Sequence, residues 1–213
     1  MTKRIFVTAT NTDIGKTYAT LKLIETFTAL GYRVGAVKPI ETGVQSLPAD
    51  GERLLQAIQR YNPLTKELCI DDVVPVQMPL PAAPFVASKG NPVDYAAIDA
   101  AIARMECLCD ICIIEGAGGL LVPVDATTDM IDMIERFNAK TLLVSHCRLG
   151  CINDTRLSLS LLKNRRLSYE WVLNCRDDDH DFSSTSQPWF DAHFAPWFRL
   201  DQDVEALCRR LLL

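Results

Sequence analysis

The 213-residue sequence lacks any apolar run of about eighteen residues, the length that a membrane-spanning helix needs, so we predict no membrane span. We expect no secretory leader, because only a short apolar run follows the basic residues Lys3 and Arg4. Basic residues are not in excess, since 22 lysines and arginines stand against 27 aspartates and glutamates. The net charge of −5 argues against a general nucleic-acid binder and leaves small anionic ligands possible. We therefore expect a cytoplasmic protein.

The eight cysteines lack the paired C-x-x-C spacing of a zinc site. They are scattered along the chain, with Cys147 and Cys151 on either side of a glycine turn. Because no export signal is present, we predict that all eight are reduced thiols, most of them in or near the core. A metal site built from cysteine is not expected.

Internal repeats and linker-like segments are also missing, and short apolar strands alternate with segments of helical periodicity. Strands are predicted at residues 4–8, 33–38, 73–78, 110–115, 140–146 and 169–174. Helices are predicted at residues 16–30, 51–61, 94–108, 128–137, 151–162 and 201–213. Residues 79–85 are predicted as an irregular connection, and residues 177–186, with four aspartates, as a surface loop. This pattern predicts a single doubly wound α/β domain over residues 1–213, with a mostly parallel sheet flanked by helices.

The stretch TATNTDIGKT, residues 8–17, ends like a phosphate-binding loop but has Thr10 where the common pattern has its first glycine. It follows a predicted strand and opens a predicted helix, which is the context that such a loop requires. Gly15 would let the backbone approach a phosphate, which the first N–H groups of the helix would bind. Lys16 would add a charge for the β- and γ-phosphates, and the hydroxyl of Thr17 could bind Mg²⁺.

Three further predicted strand ends should meet this loop, because ligands bind at the carboxyl edge of such sheets. Lys38 is the last residue of the second predicted strand and could aim a second cation at a transferring phosphoryl group. Glu115 stands where a P-loop protein holds Mg²⁺ through a carboxylate, and glycines follow it. The turn from Leu149 to Asn153 is either an ordinary strand–helix turn or a second anion site.

Taken together, these segments resemble the dethiobiotin synthetase family of the P-loop NTPase superfamily. The matching motifs, from the N-terminus onward, are T-x-T-D-I-G-K-T, V-K-P-I-E-T-G, I-E-G-A-G-G, L-G-C-I-N and W-V-L-N. They occur in the family's order and spacing over residues 3 to about 175, and the family's phosphate loop also lacks a glycine at the position of Thr10. Where Ala9 stands, the family usually has glycine.

The resemblance implies an ATP-dependent ligase of biotin biosynthesis that needs Mg²⁺. Its substrates would be 7,8-diaminononanoate, CO₂ or bicarbonate, and ATP. It also implies a homodimer with the substrate site at the interface. Asn174 would read the base, but the prolines common after it in the family are missing, so we expect loose base discrimination with ATP as the default.

The resemblance also assigns residues to roles. The expected catalytic residues are Lys16 and Lys38, and the expected metal ligands are Thr17, Asp50 and Glu115, with Glu52 as the alternative to Asp50. The expected nucleotide-binding residues are Thr12, Asp13, Ile14, Gly15, Lys16, Thr17, Tyr18, Glu115, Gly116, Gly118 and Asn174. The expected substrate-binding residues are Lys38, Thr42, Gly118, Gly150, Cys151 and Asn153.

Three other functions compete with this hypothesis. Partitioning and maturation ATPases carry K-G-G-x-G-K-T, whereas this chain has Asn11 at the position of the first lysine and no glycine at Thr12 or Asp13. Related amide-forming and cobyrinate ligases normally carry a glutaminase domain, for which 213 residues leave no room. A nucleotide-binding protein without catalysis would not need Lys16, Lys38 and Glu115 together.

Overall fold

The computed structural model describes residues 2–176 and 179–213, and its centre is a five-stranded parallel sheet. The strands of this sheet are β1 (Lys3–Ala9), β2 (Val34–Val37), β5 (Ile111–Gly119), β6 (Lys140–His146) and β7 (Tyr169–Asn174), in the order β2-β5-β1-β6-β7. Two short strands, β3 (Ile40–Thr42) and β4 (Val76–Met78), form a separate parallel pair.

Helices alternate with the strands of the main sheet, as the apolar periodicity predicts. They are α1 (Lys16–Ala29), α2 (Ala49–Tyr61), α3 (Ile70–Val73), α4 (Pro84–Ala87), α5 (Tyr95–Glu106), α6 (Met130–Phe137), α7 (Cys151–Asn164), α8 (Phe182–Thr185), α9 (Gln187–Phe194) and α10 (Leu200–Leu212). A turn of 3-10 helix covers Pro63–Thr65. In the part of the chain that the structure describes, no helix has the length and apolarity needed to cross a membrane.

Strand β1 lies at the middle of the sheet, between β5 and β6, and its apolar side chains are completely buried. Its register places Val7 beside Glu115 of β5. The loop that follows β1 therefore leaves the sheet next to the carboxylate of Glu115. Since all five strands run parallel, their carboxyl ends form one edge, where a doubly wound sheet binds its ligands.

The predicted α/β class and the mostly parallel sheet are confirmed. The predicted strand at 73–78 is wrong at its start, because Val73 ends helix α3 and β4 begins only at Val76. Strand β5 also continues through the glycines to Gly119 instead of ending at Glu115. It can do so because Ala9 of β1 pairs with Gly119 after a local shift of register.

The predicted surface loop at 177–186 is wrong in its second half, where helix α8 occupies Phe182–Thr185. Phe182 is buried and packs against Phe190 and Trp197 in a second, smaller apolar cluster. The predicted polar character rested on the aspartates and overlooked this aromatic anchor. Asp177 and Asp178, two of those aspartates, lie outside the described residues.

The prediction that all eight cysteines are reduced is wrong for one pair. Cys147, directly after β6, forms a disulfide with Cys175, directly after β7, and their Cα atoms are 4.9 Å apart. The neighbouring strands β6 and β7 bring these residues together, although 28 positions separate them in sequence. The six other cysteines are free thiols in the described structure.

Candidate active site

A cavity of about 700 Å³ opens at the carboxyl edge of the sheet. Its lining combines the phosphate-loop region, the end of β2, strand β3, the start of α2 and the chain before α4. The residues that line it are Thr12, Asp13, Gly15, Lys16, Thr17, Tyr18, Lys38, Ile40, Glu41, Thr42, Asp50, Arg53, Pro81, Ala82, Ala83, Pro84, Ala117, Gly118, Val122 and Arg176. Segments that are distant in sequence thus meet as the strand-end argument predicts.

The phosphate-binding loop ends at Gly15, which directly precedes helix α1 and has a φ of 101°. This left-handed conformation favours glycine. No side chain caps the N-terminus of α1 within the described structure, so its first N–H groups remain available to an anion. The backbone therefore has the geometry that phosphate binding requires.

Lys16 is the first residue of α1 and is only 8% exposed. Its ammonium lies 3.5 Å from the carbonyl oxygen of Asn11 in the same loop. Burial, and next the charge of nearby Lys38, lower the pKa of Lys16 to about 8. An ammonium at this place in an open cavity can bind an incoming anion.

Lys38 is buried, which argues against the alternative that it is an ordinary exposed lysine at a strand end. It lies between two carboxylates. Its ammonium nitrogen is 2.7 Å from Oε1 of Glu115 and 3.0 Å from Oδ2 of Asp50. Burial opposes the charge of Lys38, but Glu115 and Asp50 outweigh it and raise the pKa of Lys38. The same ammonium lowers the pKa of Asp50 against the opposing effect of burial. The ammonium of Lys38 therefore bridges the two carboxylates.

Glu115 is completely buried behind the cavity wall, and each of its oxygens has a partner. Its Oε1 accepts a hydrogen bond from Thr17 at 2.8 Å as well as from Lys38. Its Oε2 accepts one from the hydroxyl of Thr20 at 2.7 Å. Thr20 was missed by the sequence analysis, although its place one helical turn after Lys16 puts it on the same face of α1.

The donor set formed by Thr17, Asp50 and Glu115 fits Mg²⁺, which prefers hard oxygen ligands. The ammonium of Lys38 between the two carboxylates shows that this place accommodates a positive charge. Of the two candidates on α2, Asp50 belongs to the described cavity lining, whereas Glu52 does not. The structure thus brings together the three expected metal ligands.

Asn174, expected to read the base, is nearly buried at the end of β7. Its amide nitrogen donates to the carbonyl of Ile14 at 2.8 Å. A Cβ atom at Gly15 would lie 2.2 Å from that nitrogen, so the amide packs directly on the phosphate-binding loop. Asn174 therefore supports the loop from behind, and the neighbouring Arg176 lines the cavity.

The glycines after Glu115 have different neighbours. A Cβ atom at Gly116 would meet the ring of Phe6 at 2.8 Å, so this glycine allows close packing in the core. Gly118 has a φ of 68° and lines the cavity together with Thr42. Of these residues, Gly118 and Thr42 are placed to meet a ligand directly.

The turn at Gly150, Cys151 and Asn153 is not part of the described cavity lining. It resembles the phosphate-binding loop in one respect: Gly150 has a φ of 98° and precedes α7 without a side-chain cap in the described structure. Leu149, just before it, is 88% exposed. Within one chain the turn stands apart from the cavity and leaves a second helix N-terminus accessible.

Comparison of the sequence with known proteins identifies relatives of this chain. The family profile described as "AAA domain" matches residues 3–208. The ATP-dependent dethiobiotin synthetase BioD of Sulfurovum sp. (strain NBC37-1) is 41% identical over 207 residues, covering 97% of this chain and 99% of the relative. The protein of the same name from Wolinella succinogenes is 37% identical over 213 residues, covering 99% and 98%.

A solved structure shows the same fold at much lower identity. The MinC:MinD cell division protein complex of Aquifex aeolicus matches with a TM-score of 0.54 and 12% identity, covering 98% of this chain and 86% of that one. At this identity the likeness concerns the fold alone, which is that of P-loop NTPases. The near full-length match to the two relatives shows that the chain belongs to the dethiobiotin synthetase family.

Proposed function

We propose that this protein is an ATP-dependent dethiobiotin synthetase, a ligase that makes a cyclic urea from 7,8-diaminononanoate and CO₂. The observation that carries the proposal is the meeting of Lys16 and Lys38 at an uncapped helix N-terminus, beside Thr17, Asp50 and Glu115. A site for phosphoryl transfer needs this combination of cations, N–H groups and oxygen ligands.

The proposed reaction has three steps. One amine of the diamine attacks CO₂ and loses a proton, which gives a carbamate. A carbamate oxygen then attacks the γ-phosphorus of ATP, and ADP leaves with the electrons of the broken P–O bond. The second amine attacks the carbonyl carbon of the mixed anhydride, loses a proton and expels phosphate, which closes the ring. None of these steps needs a covalent bond to the protein.

The protein would act through position and charge. The N–H groups at the start of α1 and the ammonium of Lys16 would hold the phosphates of ATP. Lys38 would turn from Asp50 toward the carbamate and the transferring phosphoryl group, since its ammonium already borders the cavity. Thr42 and Gly118, which also line the cavity, would hold the diamine end of the substrate.

Mg²⁺ would be held by Thr17, Asp50 and Glu115, and when bound it neutralises charge on the phosphate oxygens. Thr20 and Lys38 restrain the Glu115 carboxylate, so it cannot rotate freely. The expectation of loose base discrimination is supported by one contact, since one N–H of the Asn174 amide is already donated to the carbonyl of Ile14. We expect similar kcat/KM values for ATP, GTP and CTP, and a strong preference for ATP would contradict this part.

The substrate carboxylate would bind at the Gly150–Asn153 turn of a second subunit. This turn has a free helix N-terminus, lies outside the cavity of its own chain, and neighbours the exposed side chains of Leu149 and Leu157. A two-fold homodimer would complete the site. Mixing two inactive variants, Lys38→Met and Asn153→Asp, tests this arrangement, because a mixed dimer then contains one intact site. Random exchange would restore about one quarter of the wild-type sites, whereas a site within one chain would restore none.

The decisive experiment measures phosphate and dethiobiotin together, in the presence of Mg²⁺, bicarbonate and ATP, with and without 7,8-diaminononanoate. Equal amounts of both products, formed only with the diamine, are the expected result. Phosphate release that is independent of the diamine, without dethiobiotin, would show a different ATPase. This control also tests the competing hypothesis of a partitioning ATPase, against which Asn11 at the position of the first lysine argues.

A further inference from the structure

Helix α2 starts beside the cavity without any cap of its own. Pro48 precedes it, and no side-chain bond from that position closes the N-terminus. The first N–H groups of a helix need partners from elsewhere, especially where the helix start is not fully open to water. At this start lies Asp50, the acidic residue that reaches Lys38.

The missing cap is supplied by Glu41 from strand β3, nine residues earlier. Its Oε1 accepts the N–H of Asp50 at 3.0 Å, and its Oε2 accepts the N–H of Gly51 at 2.9 Å. Glu41 is only 7% exposed although it lines the cavity. Both carboxylate oxygens of Glu41 therefore accept backbone hydrogen bonds, and the negative charge lies favourably at the positive end of the helix.

Gly51 makes this close approach possible. A Cβ atom at that position would lie 2.0 Å from Cγ2 of Val74 and 3.3 Å from Oε2 of Glu41. The backbone at the start of α2 is thus pressed between Val74 on one side and the Glu41 carboxylate on the other. A shift of the helix start in either direction would break one of these contacts.

We propose that Glu41 is a positioning residue that fixes Asp50 for the metal and for Lys38. The Glu41 carboxylate accepts a hydrogen bond from the N–H group of Asp50 itself, while the side chain of Asp50 lies 3.0 Å from the ammonium of Lys38. Loss of the two hydrogen bonds to Glu41 would let the first turn of α2 fray and would move the carboxylate of Asp50 away from Thr17 and Glu115. This inference rests on the proposed metal role of Asp50.

Asp94 provides the matched control. It caps α5 through its own side chain, which accepts the N–H of Ala97 at 2.9 Å, and α5 carries no residue of the described cavity lining. Replacing Asp94 by Ala therefore removes a helix cap of similar kind with no consequence expected at the site. An effect shared by the Glu41 and Asp94 variants would be one of stability alone.

The experiment measures Mn²⁺ binding to the ADP-loaded protein by electron paramagnetic resonance, with Mn²⁺ as the probe for the metal. We expect Glu41→Ala and the isosteric Glu41→Gln to weaken Mn²⁺ binding by about tenfold, as loss of a supporting group around a metal does. Asp94→Ala should bind Mn²⁺ like the wild type. Glu41→Gln preserves the shape of the side chain, so it serves if Glu41→Ala does not fold.

Wild-type Mn²⁺ affinity in both Glu41 variants would overturn the proposal, and so would equal weakening in Asp94→Ala. Asp50→Asn separates this failure from failure of the metal assignment. If Asp50→Asn also retains full affinity for Mn²⁺, Asp50 is not a metal ligand, and the proposed role of Glu41 in positioning it is then wrong as well. The dethiobiotin assay decides the overall function independently, because it is carried out on the unmodified protein.

Discussion

The ammonium nitrogen of Lys38 lies 2.7 Å from Oε1 of Glu115, and both side chains are buried. A buried ion pair is costly to break from one side, because the remaining charge loses its partner without gaining water. Asp50 shares the same ammonium at 3.0 Å. Lys38 thus has two roles, one in the proposed chemistry and one in balancing the carboxylates before a metal arrives.

The replacement Lys38→Met should reveal both roles. We expect it to lower the free energy of unfolding by about 3 kcal/mol without Mg²⁺, since Glu115 becomes an uncompensated buried charge. Added Mg²⁺ should recover much of this loss, because it would neutralise the same carboxylates. Turnover should fall by about 10² to 10³ even with saturating Mg²⁺, as when a group that stabilises the transition state is removed. Urea unfolding with and without Mg²⁺, together with the dethiobiotin assay, provides the measurement.

Lys140→Met is the control for that variant. Lys140 is a partly buried lysine whose ammonium lies 3.7 Å from Glu170, at the opposite edge of the sheet. Its replacement should leave turnover and the response to Mg²⁺ unchanged. A Lys38 variant with full stability without Mg²⁺ would show that the ion pair is not formed in solution.

Thr20→Val tests the support of Glu115. The change keeps the shape of the side chain but removes the hydroxyl that lies 2.7 Å from Oε2 of Glu115. The carboxylate oxygen would then be buried without a donor, at a cost of about 1–3 kcal/mol in unfolding free energy. We expect turnover to fall by about tenfold, because Glu115 would no longer be held for the metal. Thr20→Ser, which keeps the hydroxyl, should stay close to the wild type.

The same helix offers a control in Thr28, whose hydroxyl is buried without a hydrogen-bond partner in the described structure. Thr28→Val should therefore be neutral or stabilising in urea unfolding and leave turnover unchanged. If Thr20→Val and Thr28→Val behave alike in both measurements, the Thr20 hydroxyl does not act on Glu115.

Gly15→Ala tests the contact between the phosphate-binding loop and Asn174. A Cβ atom at Gly15 would meet the Asn174 amide at 2.2 Å, so we expect nucleotide affinity to drop by at least about tenfold through a displaced loop. Gly31→Ala is matched in backbone, since Gly31 has a φ of 90°, but nothing lies within 4 Å of its added Cβ in the described structure. Gly31→Ala should lower the free energy of unfolding by only about 1 kcal/mol, the strain of an alanine in the left-handed conformation. It should leave nucleotide affinity unchanged. Titration with a fluorescent ATP analogue compares the two, and equal affinities would refute the contact.

These residues show how far sequence reasoning reaches. Lys16 and Thr17 lie just beyond the end of one predicted strand and Lys38 ends another, so parallel pairing alone predicts that they meet at one edge. Glu41 and Thr20 were missed because their role depends on tertiary contacts, with the start of α2 and with Glu115. A carboxylate that accepts backbone N–H groups from a distant helix leaves no periodic pattern in the sequence.

The errors in the fold have similar causes. The disulfide between Cys147 and Cys175 depends on the pairing of β6 with β7, and spacing along the chain contains no sign of it. Helix α8 was not predicted because the aspartates before it suggested a polar loop, and Phe182 is the one buried apolar residue of that helix. The glycines after Glu115 suggested a loop, whereas close packing of Gly116 on Phe6 lets the strand continue.

Lys16 supports a last prediction, which concerns pH. Burial lowers its pKa from 10.5 to about 8 in the folded protein, with the charge of Lys38 as the next cause. Below pH 8 the lysine is charged in both the folded and the unfolded state, so folding carries the full cost of burying that charge. As the pH rises from about 8 to 10.5, the folded protein releases the proton first and this cost disappears.

We therefore expect Lys16→Met to lose turnover yet to unfold at higher urea concentration than the wild type at pH 7. The lowering of the Lys16 pKa from 10.5 to about 8 corresponds to about 3 kcal/mol in unfolding free energy, and this gain should fade as the pH approaches 10.5. Lys22→Met, a change at a half-buried lysine of the same helix, should show no such gain, because Tyr18 and next Asp201 raise the pKa of Lys22. A difference between Lys16→Met and the wild type that stays constant from pH 7 to 10 would mean that Lys16 is not held in a costly state before ATP binds.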